Sequence, residues 1–108
     1  MATANRIKAG IIGGAGYTGG ETVRLLLNHP HVELTFVQSR SQANKNLFEV
    51  HSDLIGETNA RFSSDFNQQV DVLFLCLSHG ESKTFLTENI FPGNVRIVDL
   101  GNDFRLGI

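Results

Sequence analysis

GIIGGAGYTGGE, residues 10–21, places six glycines in twelve positions. An apolar stretch ending in Gly10-Ile11-Ile12 precedes the cluster and Leu25-Leu26-Leu27 follows it. Glycine lacks a Cβ, so it costs ordering entropy but permits positive φ and close approach of the backbone to a neighbour or ligand. Clustered here, the glycines point to a contact made by the main chain. On the upstream side, Ile7–Ile12 is a short apolar stretch suited to a strand. Downstream, residues from about 19 to 28 are expected to be helical, with Val23, Leu26 and Leu27 on one face and Pro30 as the stop. Residues 32–37, VELTFV, are rich in β-branched and aromatic side chains and predict a second strand.

Between residues 39 and 66 the signal is weak: a polar stretch, a turn at Gly56 and a short strand near 60–63. It sharpens at VDVLFLCL, residues 70–77, a nearly continuous apolar run of the kind buried on both faces of a parallel sheet. Ser78-His79-Gly80-Glu81 then fits a capping box, with Ser78 as N-cap, opening a helix that runs towards Ile90 and ends before Pro92-Gly93. Residues 95–100, VRIVDL, supply the last strand. This alternation predicts an α/β fold, a doubly wound, mostly parallel, Rossmann-like sheet of about five strands.

The chain of 108 residues is 41% hydrophobic and 19% charged, with a formal net charge of −2. That balance fits one globular domain, residues 1–108. The nine basic residues form no run, so neither nucleic acid nor an anionic membrane is implied as a partner. The longest apolar run, residues 72–77, is far short of the roughly 18 to 20 residues that span a bilayer. With one cysteine and no visible signal peptide, a reducing, cytoplasmic compartment is expected.

In an open α/β sheet the first strand-to-helix turn, beyond the carboxyl ends of the strands, is the usual phosphate site. Gly14-Ala15-Gly16-Tyr17-Thr18-Gly19 matches G-x-G-x-x-G, and Gly13, Gly16 and Gly19 also match G-x-x-G-x-x-G. Both registers require a tight turn, a backbone able to touch a pyrophosphate and a helix packed close to the sheet. Thr18 and Glu21 form a rival capping-box pattern that would start the helix later. Glu21 is negative near the proposed anion, so its side chain is expected to point away. Dinucleotide sites that take NAD carry an acid about 20 residues after the motif. That place holds Gln38-Ser39-Arg40-Ser41, with no acid and one guanidinium between hydroxyls. Ser39, Arg40 and Ser41 therefore favour the 2′-phosphate of NADP, against the plain alternative of a solvated loop arginine.

Ser78, His79 and Gly80 follow the apolar run at its carboxyl end, where the nicotinamide half of a cofactor would lie; the alternative is a polar helix cap. Asp103 and Arg105 reach the same edge, as a substrate or nicotinamide contact or as a surface pair. His29, His31 and His51 have no metal-ligand spacing and are expected at the surface, so no metal site is predicted. Cys76 sits inside LFLCLS, where a cysteine behaves as a small hydrophobe rather than a nucleophile.

These segments resemble the N-acetyl-γ-glutamyl-phosphate reductases of arginine biosynthesis. The likeness lies in GIIGGAGYTGGE, in RLLLNHPHVEL at 24–34, in SRS at 39–41, in SHG at 78–80 and in VDLGNDFRL at 98–106. The resemblance implies an NADPH-dependent reductive dephosphorylation of a small-molecule acyl phosphate. In that family a cysteine takes the acyl group as a thioester, phosphate leaves, and hydride from NADPH yields the semialdehyde. The family cysteine, in a motif resembling Asn-Pro-Gly-Cys-Tyr-Pro-Thr, and the histidine base lie beyond the segment matched by Ile108, so no catalytic residue is assigned in this chain. The resemblance further implies a longer, homo-oligomeric enzyme whose second domain supplies substrate contacts. Related reductases of aminoadipyl or aspartyl phosphate, or a stand-alone dinucleotide-binding module, remain alternatives on the residues alone.

Overall fold

The computed structural model describes residues 6–66, 69–77 and 80–100. Strand β1, Ile7–Ile12, leads into helix α1, Tyr17–Leu27, and strand β2, Val32–Gln38. A short helix α2, Leu47–Val50, and a 3₁₀ turn, Ser52–Leu54, precede strand β3, Val72–Leu75. Helix α3, Glu81–Glu88, and strand β4, Arg96–Asp99, complete the order. The four strands are all parallel and lie in the order β2-β1-β3-β4. Chain direction across the sheet therefore reverses between β1 and β3, where α/β folds hold their ligands.

Alternation along the strands sends neighbouring side chains to opposite layers. Ile11 of β1 joins Val23 of α1, Val37, Leu47, Leu54 and Phe62 in one buried cluster. Its neighbour Ile12 joins Leu73, Leu75 and Val70 in the other, against Phe85 of α3 with Phe66 and Phe91. Helices thus cover both faces, as a doubly wound sheet requires. The register of β1 on β2 shifts between Ala9 and Gly10. Thr35 is the extra residue, and its hydroxyl donates to the Ala9 carbonyl at 3.0 Å. Because of that bulge, Leu34 and Val37 both pack on the α1 layer.

Several boundaries differ from expectation. Among the described residues the sheet has four strands: the segment 60–63 makes only single bridges, Gln38 with Ser63 and Asn46 with Arg61. Helix α1 begins at Tyr17 with Gly16 as N-cap and no side-chain cap. Thr18 does not cap it, because the first turn already contains Thr18, whose carbonyl accepts the Thr22 hydroxyl at 2.8 Å. Helix α3 starts at Glu81 with Gly80 as N-cap at φ 84°. A left-handed residue cannot sit inside a right-handed helix, so the expected start at Ser78 is displaced. Ser78 and His79 lie outside the described residues, as do Asp103 and Arg105. The helix stops at Glu88, where the Asn89 side chain donates to the Phe85 carbonyl at 2.9 Å.

Candidate functional site

The chain turns sharply as β1 ends. Gly13 has φ 80°, strained for any L side chain, and a Cβ there would meet the Cys76 carbonyl oxygen at 2.8 Å. The amides of Gly13 and Gly14 donate to the Gln38 carbonyl at 3.0 and 2.9 Å, and Gly13 reaches Gln38 Oε1 at 3.2 Å. Those two amides therefore tie the turn to the end of β2 instead of facing outward. Gly19 packs against Gly14, since a Cβ on it would fall 2.6 Å from the Gly14 backbone. Gly16 is different: its φ of −80° and ψ of −177° are ordinary, and a Cβ would find nothing within 4 Å. Neither conformation nor packing demands glycine there. The spare volume opens into the cavity that Gly16 lines, as close approach of a bound group would require.

This cavity, of about 900 Å³, lies beyond the carboxyl ends of β1, β2 and β3. The turn side is formed by Gly13, Ala15 and Gly16, and the end of β2 supplies Gln38, Ser39, Arg40 and Ser41. Ser39 is buried, and its hydroxyl oxygen accepts the Gln42 amide at 3.2 Å, which holds the loop. Arg40 and Ser41 are exposed, and Arg40 makes no ion pair among the described residues. Cys76, Leu77, Gly80 and Phe85 line the opposite wall.

Charge distinguishes the two helix ends. Helix α1 has no acid in its first turn, whereas α3 has Glu81 there. An anion gains about 0.3–1 kcal/mol at an exposed helix N-terminus, and a carboxylate already in place opposes it. The α1 end is therefore the better seat for a pyrophosphate, and its first-turn amides have no intrahelical acceptors. Glu21 turns away from the cavity and pairs with Arg24, which also holds Asp53 at 2.8 Å. Burial pushes the Cys76 thiol up; the Thr22 hydroxyl, 3.7 Å from its sulfur, offsets this in part, and the Asp99 carboxylate adds to it. A neutral thiol fits a wall residue, not an activated nucleophile.

Of the residues singled out in the sequence, Gly13, Ala15, Gly16, Ser39, Arg40, Ser41 and Gly80 meet in one cavity. Gly14 and Gly19 support the turn from behind, while Tyr17, 83% exposed, lines a separate small cleft with Glu21, Arg24 and His51. Thr18 is exposed outside both. Two residues were missed. Gln38 is a polar residue closing an apolar strand, a position that could have drawn notice. His51 was expected at the surface but is half-buried under the glycine turn. No local pattern announces it, because its partner Gly14 is 37 residues away.

A family model described as "Semialdehyde dehydrogenase, NAD binding domain" matches residues 8–107. The chain belongs to this family. Relatives of this semialdehyde dehydrogenase NAD-binding domain include the N-acetyl-gamma-glutamyl-phosphate reductase of Christiangramia forsetii, 58% identical over 100 residues. Those of Flavobacterium johnsoniae and Parabacteroides distasonis are 51% and 50% identical. In each case the match covers 93% of this chain and 31% of the relative's length. Among solved structures, the domain superposes on an aspartate semialdehyde dehydrogenase with NADP from Candida albicans with a TM-score of 0.70. That match is 19% identical, over 94% of this chain and 31% of the other, and shows a shared fold.

Proposed function

We propose that this domain is the NADP-binding portion of an N-acetyl-γ-glutamyl-phosphate reductase. The observation that carries the cofactor is the juxtaposition on one cavity of the α1 terminus, which has no side-chain cap, and Arg40, which has no ion pair among the described residues. Support for the substrate class comes from relatives 46–58% identical that bear that name. In this reading the Ala15 amide and the first turn of α1 hold the pyrophosphate, and the vacant Cβ position of Gly16 leaves it room. Arg40, with Ser39 and Ser41, grips the 2′-phosphate, which a carboxylate at that position would repel. Gly80 and Leu77 border the side towards β3, next to Ser78 and His79, which we assign to the nicotinamide end. When bound, the cofactor supplies a hydride equivalent.

For the whole enzyme we propose reduction of N-acetyl-γ-glutamyl phosphate to the semialdehyde with release of phosphate. The protonated, cavity-wall setting of Cys76 supports an acyl-carrying nucleophile other than this thiol. We place the enzyme in the cytoplasm, on the single cysteine of this domain, and as a homo-oligomer, on the family resemblance alone. Titrating the full-length protein with NADPH and NADH, before and after Arg40→Ala, tests the cofactor. Wild type should prefer NADPH, and the variant should lose about ten- to a hundredfold of its NADPH affinity with little change for NADH. Tighter NADH binding by wild type, or an unchanged preference in the variant, would sink the 2′-phosphate assignment.

A further inference from the structure

Beneath the glycine turn, on the side away from the cavity, stands His51. Its backbone is held at the junction of α2 and the 3₁₀ turn: its amide donates to the Leu47 carbonyl at 2.9 Å, and its carbonyl accepts the Leu54 amide at 2.9 Å. Leu47 and Leu54 are both fully buried, so they anchor the histidine on either side. The imidazole lies 6.0 Å from the Phe62 ring, centroid to centroid, and rests on Gly20, where a Cβ would come within 2.7 Å of it. From this seat Nε2 contacts the Gly14 carbonyl oxygen at 2.7 Å. A carbonyl only accepts, so Nε2 carries the proton.

The consequence follows from peptide geometry. In a trans peptide the C=O and N–H point in opposite directions. The Gly14–Ala15 peptide is trans, so a Gly14 carbonyl drawn towards His51 turns the Ala15 N–H the other way. The opposite side is the cavity, which Ala15 and Gly16 line and His51 does not. The preceding amides of Gly13 and Gly14 are already taken by Gln38, so Ala15 is the first amide of the turn left to face a ligand. A hydrogen bond to the carbonyl also polarises its own amide and strengthens the N–H as a donor.

We propose that His51 is a positioning residue for the anion-binding turn: its Nε2–H bond to Gly14 aims the Ala15 amide at the pyrophosphate of the cofactor. The role rests on the dinucleotide reading above. It is separable from the Arg40 contact, because Arg40 serves the 2′-phosphate.

Two measurements on the full-length protein test it. ¹⁵N NMR of the neutral imidazole in wild type should find the Nε2–H tautomer, and an Nδ1–H tautomer would overturn the proposal without any variant. Affinities for NADPH and for adenosine 2′-phosphate, which lacks the pyrophosphate, are then compared in His51→Phe and His51→Gln. The Phe variant keeps a ring on Gly20 and Phe62 but has no donor. It should bind NADPH about tenfold more weakly and adenosine 2′-phosphate as wild type does. The Gln variant, whose amide restores a donor, should recover most of the loss. A Phe variant that binds NADPH normally, or that loses both ligands in equal measure, overturns the proposal; if it does not fold, the tautomer decides. A wild type that binds neither ligand instead overturns the proposed function, and the role of His51 with it.

Discussion

Gly13 and Gly16 stand three residues apart in one motif, yet substitution should separate them completely. Gly13→Ala places a Cβ at φ 80° and 2.8 Å from a backbone oxygen. The loss should be about 2 kcal/mol or more of folding stability, read by urea denaturation. Gly16→Ala meets nothing within 4 Å and has an ordinary φ. Stability should change by less than about 1 kcal/mol, while NADPH affinity falls about tenfold as the added methyl occupies the approach to the turn. Equal effects on stability would mean that Gly16 serves packing. The sequence left both registers of the motif open, because a pattern of glycines does not say which one faces space. In the folded chain Gly13 turns, Gly16 faces the cavity and Gly19 packs on Gly14, which is the G-x-x-G-x-x-G register. Cys76 shows the converse case: its half-buried, apolar setting was implicit in the surrounding LFLCLS run.

The elements that bear on the site include α2, a helix of only four residues. Asn46 and Glu49 form a reciprocal capping box at its start, with the Glu49 carboxylate accepting the Asn46 amide at 2.9 Å and its side-chain nitrogen at 3.1 Å. The pattern Asn-x-x-Glu before an apolar residue was legible, but so short a helix has no periodicity to support it. The Asn46 backbone amide first, then its side chain, holds the Glu49 carboxyl below the ordinary carboxylate range. A folded-state pKa below the unfolded one stabilises the fold above the unfolded value and loses that contribution as pH falls through the folded one. Wild type should therefore be more stable than Glu49→Gln at neutral pH, and the difference should vanish in acid. Thermal melts across that range check it; a gap that persists or widens in acid would refute the sign. Since His51 is the C-cap of α2, the same helix start supports the residue beneath the glycine turn. Longer elements were read more securely. β1 and β2 lie within a residue of expectation, since strand alternation and Pro30 are strong local signals, whereas α3 begins where the left-handed conformation of Gly80 dictates and α1 begins after Gly16 with no side-chain cap to mark it.

At the scale of the molecule, stability and binding draw on different layers. Leu73 is fully buried in the cluster facing α3, remote from the Arg40 end of the cavity. Leu73→Ala should cost about 2–5 kcal/mol in urea denaturation with an unchanged m-value. A loss below about 1 kcal/mol would mean that the α3 layer can close around the gap. The doubly wound class, the place of the glycine turn and the approach of an acid-free, arginine-bearing strand end were determined by the sequence itself. They rest on periodicity, turn chemistry and spacing, which act over a few residues or follow from chain direction in a parallel sheet. Only the tertiary structure decided which glycine faces the cavity, that Gln38 takes the first two amides of the turn, and that His51 holds the next carbonyl. Those contacts join residues 25 and 37 positions apart. They exist only once the packing of α2 and β2 around Phe62 and Val37 brings these side chains against the turn, and no local pattern encodes that proximity.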